Sequence, residues 1–368
     1  MPPTSFSQSS YRFTHVGMDV HRDSISVGIL PPDLETPEVE RIGVDDAAVR
    51  ALFSRLGDPG SLRACYEAGP TGYDLARLLR AIDVHCDVVA PSLIPRAPGD
   101  RVKTDKRDCR RLARLHRMGE LRGVRVPTPT EEGLRDLCRA RRSLLIDRRR
   151  ARQRLTSMLL RHGQVYRTGS LWTQAHRDWL GTRRFDDAAT QATFERYRGI
   201  ASVRDADVAA IEADLEAWCD TEVVSDTIRR LVCYRGIDRL GALTLAVEVC
   251  DWHRFASAHA HMAFCGLVPT EASSGPRVWR GGITKTGNVH VRTQLIESAW
   301  AYHYPARLSR AIAARQAGAE PDTVARAWRA QLRLTHRFRA LAATKAPSVV
   351  VTAVARELAG FVWAEMTA

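Results

Sequence analysis

Four carboxylates in the amino-terminal part of the chain have the type and spacing of a metal site. Asp19 and Glu67 each follow a short apolar run, whereas Asp105 and Asp108 open a basic helix. Clusters with only oxygen donors hold Mg²⁺ or Mn²⁺. Because the chain is otherwise strongly basic, the cluster predicts metal ions set against a phosphodiester, with Arg side chains holding a nucleic acid.

Each carboxylate alone has an ordinary structural explanation, such as a turn or a half-buried strand position. Their joint occurrence is what favours the metal site. Three nearby acids fit structural roles better: Asp23 follows a strand, Asp74 lies in a helical first turn where the macrodipole favours it, and Asp100 lies in a Pro/Gly loop.

A second cluster with possible chemistry lies much further along the chain, at residues 273–275 (SSG). Water attack would leave a strand break, whereas a serine nucleophile keeps the phosphate in a covalent ester for rejoining. Ser274 is the candidate because Gly275 follows it and allows close backbone approach, while Ser273 is its competitor. No neighbouring base is evident, so activation would depend on the metal site, and a plain polar turn between helices is the alternative. The cations nearby are Arg277, Arg280 and Lys285.

Composition bounds the class of protein. The 368 residues carry a formal charge of +13 and a sequence pI near 9.8, and Lys occurs only at positions 103, 106, 285 and 345. Arg can bind a phosphate through two parallel hydrogen bonds, which favours a nucleic acid as partner. A membrane surface or an acidic protein would also attract this charge. The cysteines show no CxxC pair, and no apolar stretch is long enough to cross a bilayer, so we expect reduced thiols and a cytoplasmic protein without a membrane.

The hydrophobic pattern predicts an α/β domain followed by helices. Predicted strands cover residues 13–20, 24–30, 38–44, 61–68 and 84–90, and predicted helices cover 46–56, 73–82 and 101–117. Three antiparallel strands followed by alternating helix and strand is the order of an RNase H-like fold. In that layout the first strand carries Asp19, the fourth carries Glu67, and a later helix brings Asp105 and Asp108 on one face.

Basic side chains accompany the predicted helices. Lys103 and Lys106 flank the acidic pair, and residues 131–161 form a long helix of near-heptad spacing. Its middle carries Arg148, Arg149 and Arg150. This helix is either an Arg-rich rod along nucleic acid or a structural hairpin with a solvated face. The periodic stretch 200–218 is either its antiparallel partner or a seam with another subunit.

Residues 221–250 have the pattern of a helix-hairpin-helix, which presents backbone amides and a helix N-terminus to a phosphate. Asp238 stands where such a hairpin usually has a second Gly, so an ordinary helix turn is an equal alternative. From residue 328 onward the chain is predicted to be helical, with no chemistry of its own.

Taken together, the motifs resemble the insertion-sequence 110 family of transposases, which includes Piv-type DNA invertases. The resemblance spans nearly the whole chain in order. The motifs are residues 17–21 (GMDVH), 66–72 (YEAGPTG), 103–108 (KTDKRD), and 264–269 (FCGLVP) running through Ser274 to residues 287–288 (GN).

The resemblance implies a RuvC-like domain whose Asp-Glu-Asp-Asp tetrad matches Asp19, Glu67, Asp105 and Asp108, and a transposase domain whose serine nucleophile matches Ser274. It also implies donor and target DNA as substrates, a guide RNA from the element's flank, and a tetramer built as a dimer of dimers. We expect a prokaryotic, nucleoid-associated enzyme using Mg²⁺ or Mn²⁺.

The expected domains are a RuvC-like domain (1–126), a helical coiled-coil linker (127–221), a serine-bearing domain with the helix-hairpin-helix-like segment (222–320) and C-terminal helices (321–368). Two alternatives remain: a structure-selective RuvC-like nuclease that uses metal-activated water, and a noncatalytic nucleic-acid-binding protein.

Overall fold

The computed structural model describes residues 12–95, 104–274 and 277–368, with the backbone alone at Leu93 and at several positions between 273 and 280. The chain divides into two compact units, one ending at Thr128 and the other beginning at Pro129. Within the described ranges, no helix is both long and apolar enough to cross a membrane. The division into four domains stays a prediction.

The first unit is built on one six-stranded sheet. Its strands are β1 (Thr14–Val20), β2 (Ile25–Leu30), β3 (Glu38–Ile42), β4 (Leu62–Glu67), β5 (His85–Val89) and β6 (Gly123–Val124). The spatial order is β3-β2-β1-β4-β5-β6. β1, β2 and β3 pair antiparallel, β4 runs parallel to both β1 and β5, and β6 adds an antiparallel edge. The structure therefore confirms the predicted α/β unit and adds β6, whose two residues are too few for a recognisable pattern.

Helices cover both faces of this sheet because its side chains alternate between two cores. The helices are α1 (Asp46–Leu56), α2 (Asp74–Arg80) and α3 (Asp105–Arg117). Val16 and Met18 of β1 share a core with Val49 and Phe53 of α1. On the other face Leu112 of α3 forms a small core with residues of β4 and β5. Alternation along β1 thus assigns odd-numbered residues, including Asp19, to the α3 face.

The second unit is mostly helical. Its helices are α4 (Pro129–Arg161), α5 (Gln174–Gly181), α6 (Ala188–Trp218), α7 (Ser225–Leu231), α8 (Arg239–Val249), α9 (Ala258–Phe264), α10 (Val289–Ala299), α11 (Arg310–Gln316), α12 (Pro321–Ala342) and α13 (Pro347–Met366). α4 and α6 pack along their lengths. Arg141 Nη2 donates to Glu212 at 2.6 Å and Arg152 Nη2 to Asp205 at 2.5 Å, so the two helices run antiparallel. The predicted intrachain partner of the long helix is confirmed.

A β-hairpin interrupts the helices of the second unit. Its strands are β7 (Pro269–Ser274) and β8 (Arg277–Ile283), paired antiparallel with a register shift between Pro269 and Glu271. The expected mainly helical region is confirmed. The hairpin within it was not predicted, because the Gly- and Ser-rich segment lacks the alternating apolar residues by which a strand is predicted.

The turn before α8 places a carboxylate at the N-terminus of that helix. The side chain of Asp238 accepts a hydrogen bond from the backbone N–H of Gly241 at 2.7 Å and caps the helix. A carboxylate at the helix N-terminus occupies the position that a phosphate would take. The structure therefore favours the ordinary helix turn over the phosphate-binding hairpin at residues 221–250.

A buried carboxylate joins three helices near the carboxyl end. The side chain of Glu365 on α13 has no exposed surface and accepts hydrogen bonds from Arg326 at 2.6 Å, Thr323 at 2.7 Å and Tyr234 at 3.1 Å. Arg230 Nε adds a contact of 3.1 Å. Burial alone would raise the pKa of Glu365, but these donors outweigh burial and lower it to about 2.

Candidate metal centre and serine hairpin

Two glycines bring α3 onto the sheet at backbone distance. Gly17 and Gly28 are cross-strand partners on β1 and β2. A Cβ atom on Gly17 would lie 2.5 Å from the carbonyl oxygen of Cys109 and 2.4 Å from the amide nitrogen of Ala113. A Cβ atom on Gly28 would lie 2.7 Å from the same carbonyl oxygen. The missing side chains therefore allow this close approach of helix and sheet.

The far end of α3 is anchored by a hydrogen bond between two side chains. His116, in the last turn of α3, lies 3.2 Å from Asp87 Oδ2 on β5 through its Nε2 atom. The hydrogen bond from His116 lowers the pKa of Asp87, and His85 adds to the effect. With its middle set by Gly17 and Gly28 and its end by Asp87, α3 has a defined position along the sheet.

This position places the first turn of α3 beside the end of β1. His21 Nε2 lies 3.2 Å from Asp19 Oδ2 and 3.5 Å from Asp105 Oδ1. One ligand atom from each of these three residues falls within 4.8 Å of the others. Residues 19 and 105, which lie far apart in sequence, therefore converge on one point.

Asp108 belongs to the same electrostatic neighbourhood. Burial raises the pKa of Asp19, the contact with His21 lowers it, and the carboxylates of Asp105 and Asp108 raise it further. Among the described residues, Asp108 Oδ2 is buried and has no hydrogen-bond partner. A buried carboxylate oxygen without a hydrogen-bond donor is available as a ligand to a cation.

Glu67, like Asp108, lies outside the group of three ligand atoms formed by Asp19, His21 and Asp105. It ends β4, one residue beyond the last registered pair with β1, Met18 and Tyr66. In parallel pairing, the next residues along, Asp19 and Glu67, point to the same face of the sheet. Glu67 is thus on the correct strand end and the correct face, but it is outside the group of atoms within 4.8 Å.

The donor set fits a divalent metal ion. Its carboxylates are the hard oxygen ligands that Mg²⁺ and Mn²⁺ prefer, and the unpaired oxygen of Asp108 offers a further ligand. His21 adds one ring nitrogen, which Mg²⁺ uses less readily than carboxylate oxygen.

The serine candidates lie at the tip of the β7–β8 hairpin. Ser273 pairs with Val278 and Ser274 with Arg277, and only the backbone of these residues is described. The same holds for Arg280, which pairs with Glu271. Gly275 lies outside the described residues. The hairpin brings Ser274 and Arg277 into register, whereas it sets Ser273 one pair further from the tip.

The loop after the hairpin is held tightly. Lys285 is exposed and adopts a left-handed backbone with φ 57°, and its amide donates to the carbonyl of Gly266 at 3.1 Å. A Cβ atom on Gly287 would lie 2.2 Å from the carbonyl oxygen of Phe264. The side chain of Asn288 then caps α10 by accepting from His290 and Val291. The Gly-Asn pair thus fixes the entry into α10.

The predicted nucleic-acid contacts occupy several elements. Lys106 is exposed on the first turn of α3, and Lys103 lies outside the described residues. Arg149 and Arg150 are exposed and Arg148 is half-buried on α4. Arg150 pairs with Asp147 at 3.7 Å.

Sequence analysis missed two parts of the centre. His21 was noted only within a motif, although the spacing Asp-x-His at a strand end was a usable signal. Gly17 and Gly28 were missed because only the tertiary structure shows which helix rests on them.

An acidic group at the end of the first strand of an α/β sheet has the ligand chemistry of a divalent-metal site, and comparison with known proteins identifies the family. Residues 16–163 match the model of the DEDD-type IS110 transposase domain, described as transposase, and residues 229–312 match the one described as transposase of the IS116/IS110/IS902 family.

Among its relatives, a protein of Sinorhizobium fredii named as transposase y4qE is 41% identical over 360 residues, which covers 97% of this chain and 89% of the relative. The transposase for insertion sequence element IS1533 of Leptospira borgpetersenii is 32% identical over 342 residues, which covers 90% and 97% of the two chains. The chain belongs to the IS110 family of transposases, which are DNA-cleaving and rejoining enzymes. A DEDD-type domain and the acidic centre together indicate the use of a divalent metal.

Proposed function

We propose that the first unit is a RuvC-like domain of RNase H fold in which Asp19, Glu67, Asp105 and Asp108 hold divalent ions, with Mg²⁺ or Mn²⁺ as the ion. The convergence of Asp19 and Asp105 on one point carries this proposal. The strand order β3-β2-β1-β4-β5 supports it, because that order places the ends of β1 and β4 side by side. The unpaired oxygen of Asp108 supports its role as a further ligand.

The residues of the centre would act by holding divalent ions in fixed positions. Bound divalent ions would activate the attacking oxygen and neutralise the leaving oxygen. Asp19 sits on the rigid strand β1 and Asp105 on the first turn of α3, so the ligand positions depend on the packing of helix on sheet. His21 contacts both carboxylates and would orient them.

We further propose that Ser274 is the nucleophile of strand exchange. Its Oγ atom would form a bond to phosphorus as the P–O bond to the departing strand breaks, and the departing oxygen would take a proton. Attack of a strand hydroxyl on the phosphoserine ester would then reverse the step and rejoin the DNA. The ester keeps the energy of the phosphodiester through the exchange. The support is the position of Ser274 at the hairpin tip, in register with Arg277.

The partners that we propose are donor and target DNA, a guide RNA from the flank of the element, and further copies of this chain in a tetramer. The charge of +13, carried largely by Arg, supports phosphate-rich partners. A folded noncoding flank with segments complementary to both junctions would be the observation that supports guidance.

The test of this mechanism is a covalent adduct between protein and DNA. The Ser274→Ala protein should lose the adduct and keep nucleic-acid binding, with Ser273→Ala as the matched control that keeps both. Adducts that persist in Ser274→Ala would remove the serine mechanism. Strand cleavage that disappears in Asp105→Ala but continues in Ser274→Ala would instead establish attack by water.

A further inference from the structure

A deep cleft in the second unit lies apart from the hairpin and has no role so far. It has a volume of about 1090 Å³ and is bounded by α4 on one side and α10 on the other. α8 packs against both helices and forms its floor. The volume is at the upper end of small-molecule pockets, which span roughly 300–1,000 Å³.

One wall of the cleft is a row of arginines on a single face of α4. The row comprises Arg141, Arg142, Arg148, Arg149 and Arg152. Arg141 and Arg152 are neutralised by Glu212 and Asp205. Within the described part of the chain, the other three form no ion pair. Arg142 and Arg149 are seven residues apart, so these cations lie about two helical turns, or roughly 10.5 Å, apart along the helix axis.

The positive charges of these three arginines are not balanced by a neighbouring acid within the described structure. Arg142 and Arg148 are half-buried, so their guanidinium groups are partly removed from water without a counterion in the described structure. A desolvated charge without a partner is unfavourable, and a row of them favours the binding of a linear polyanion. Glu248 on the floor does not supply the missing charge, because Arg139 at 2.8 Å and Asn288 at 2.7 Å already engage it.

The opposite wall is of a different kind. α10 contributes His290, Thr293 and Gln294, which carry hydrogen-bonding groups without a fixed charge, together with one carboxylate, Glu297. Burial lowers the pKa of His290, Glu248 raises it, and Arg139 and Arg142 lower it further, so the neutral form of its ring is favoured. One wall thus carries several cations, whereas the other carries hydrogen-bonding groups and a single carboxylate. These two walls match the two sides of a nucleic-acid strand, its phosphates and its base edges.

An aromatic residue also lines the cleft. The ring of Trp172 lies under the guanidinium carbon of Arg152 at 4.7 Å. Its backbone has φ 67°, a left-handed conformation that is costly for a large side chain, and its amide donates to His176 Nδ1 at 3.1 Å. Strain held in this way at a cleft is typical of a residue that is positioned for contact with a ligand. Bases stack on such rings whatever their sequence.

We propose that the cleft between α4 and α10 binds a single nucleic-acid strand, with its phosphates on Arg142, Arg148 and Arg149 and its bases toward α10 and Trp172. The ligand is a strand rather than a double helix because its bases must be unpaired to stack on Trp172 while its phosphates contact α4. The inference rests on the proposed function only in taking nucleic acid as the ligand. It does not depend on the carboxylates or on Ser274.

The test measures binding without cleavage. The full-length chain, with Asp105→Ala as background and EDTA present, is titrated against fluorescein-labelled oligonucleotides of one mixed sequence, as single-stranded RNA, single-stranded DNA and duplex DNA. The cleft variant is Arg148→Gln with Arg149→Gln. The control is Arg154→Gln with Arg161→Gln, which removes two exposed arginines of α4 that do not line the cleft.

The cleft variant should bind single strands about 10-fold more weakly or worse. Its slope of log K against log salt should flatten by about 1.4, because each lost phosphate contact of a single strand contributes roughly 0.7. The control should stay within about twofold. Gln294→Ala should weaken binding without changing the salt slope, because no charge is removed. Comparison of the RNA and DNA arms identifies which strand occupies the cleft.

Equal binding by the cleft and control variants would overturn the proposal, as would a defect confined to duplex DNA. These outcomes are distinct from failure of the catalytic mechanism, which would appear as absent metal-dependent cleavage or adducts while the cleft variant still lost strand binding. Circular dichroism and Tm of each variant establish that a loss of binding does not come from unfolding.

Discussion

Gly17 of β1 lies directly across from Gly28 of β2, and α3 rests on the surface that the two glycines leave open. The carbonyl of Cys109 approaches so closely that a Cβ atom at either position would overlap it. Backbone atoms cannot move aside as the end of a flexible side chain can. The metal centre therefore depends on two residues that carry no ligand atom.

Gly17→Ala should push α3 away from the sheet and separate Asp105 from Asp19. We expect a loss of about 1–3 kcal/mol in the free energy of unfolding, the usual cost of overpacking. We also expect Mn²⁺ to raise the Tm of the natural chain but not that of Gly17→Ala. The control is Gly60→Ala, because there the nearest atom is a carboxylate oxygen of Asp58 at 3.1 Å, at the end of a side chain. A Gly17→Ala protein with the natural metal response would contradict this account.

Asp105→Asn should weaken divalent metal binding without unfolding the protein. The side chain is 57% exposed, and its removal relieves repulsion with Asp19, so the Tm in EDTA should stay the same or rise slightly. We expect at least a 10-fold loss of Mn²⁺ affinity by calorimetric titration, with a larger loss of strand cleavage, on the order of 10²-fold. Asp23→Asn is the matched control, because Asp23 is exposed and contacts Arg22 rather than the centre. Equal effects of the two substitutions would argue against the proposed centre.

His21→Ala should reduce Mn²⁺ affinity by roughly 10-fold, because the imidazole holds the two carboxylates in place. His21→Gln keeps a polar side chain and should recover part of the loss. His85→Ala is the control, since His85 also contacts an aspartate, Asp87, at 3.3 Å but belongs to a different cluster. If His21→Ala bound Mn²⁺ as tightly as the natural chain, His21 would make no contribution to metal binding.

Glu365→Gln should cost about 3 kcal/mol in the free energy of unfolding at pH 7, because it leaves Arg326 and Arg230 beside an uncharged amide. The pKa of Glu365 lies below its ordinary value near 4.5, so the carboxylate stabilises the fold above that value. This contribution is lost as pH falls from about 4.5 toward 2. Urea denaturation at several pH values should therefore show a smaller acid-dependent loss in Glu365→Gln than in the natural chain.

The control for this prediction is Glu357→Gln on the same helix. Glu357 contacts Arg333 and Arg337, whose side chains are 68% and 44% exposed. Solvent screens such pairs, so the expected cost is below about 1 kcal/mol. A similar cost for both substitutions would show that burial of Glu365 contributes little.

The strands and helices of the first unit were predictable because each carries its pattern locally. β1 carries a short run of buried residues from His15 to Met18, and the capping side chain of Asp45 and the stop at Gly57 bound α1. The β7–β8 hairpin was not predictable in the same way. Its Gly and Ser residues leave no apolar alternation, and its strands are defined by their pairing with each other.

For the candidate site, the joint spacing of Asp19, Glu67, Asp105 and Asp108 led to their prediction as ligands, since each acid alone has an ordinary structural explanation. The Asp-x-His spacing pointed to His21 but not to its contact with Asp105, and it could not indicate that Glu67 and Asp108 lie outside the close group. Those facts depend on side-chain positions across contacts of long sequence separation.

The sequence by itself determined the chemistry that this protein has available: acids for a metal, a serine for an ester, and arginines for phosphate. Only the tertiary structure decided which of these groups meet. Gly17 and Gly28 set the approach of α3, and the pairing of Arg141 and Arg152 left Arg142, Arg148 and Arg149 free in a cleft. The physical reason is that composition and local pattern specify each element, whereas the distance between elements is set by packing of backbone and side chains that are remote in sequence.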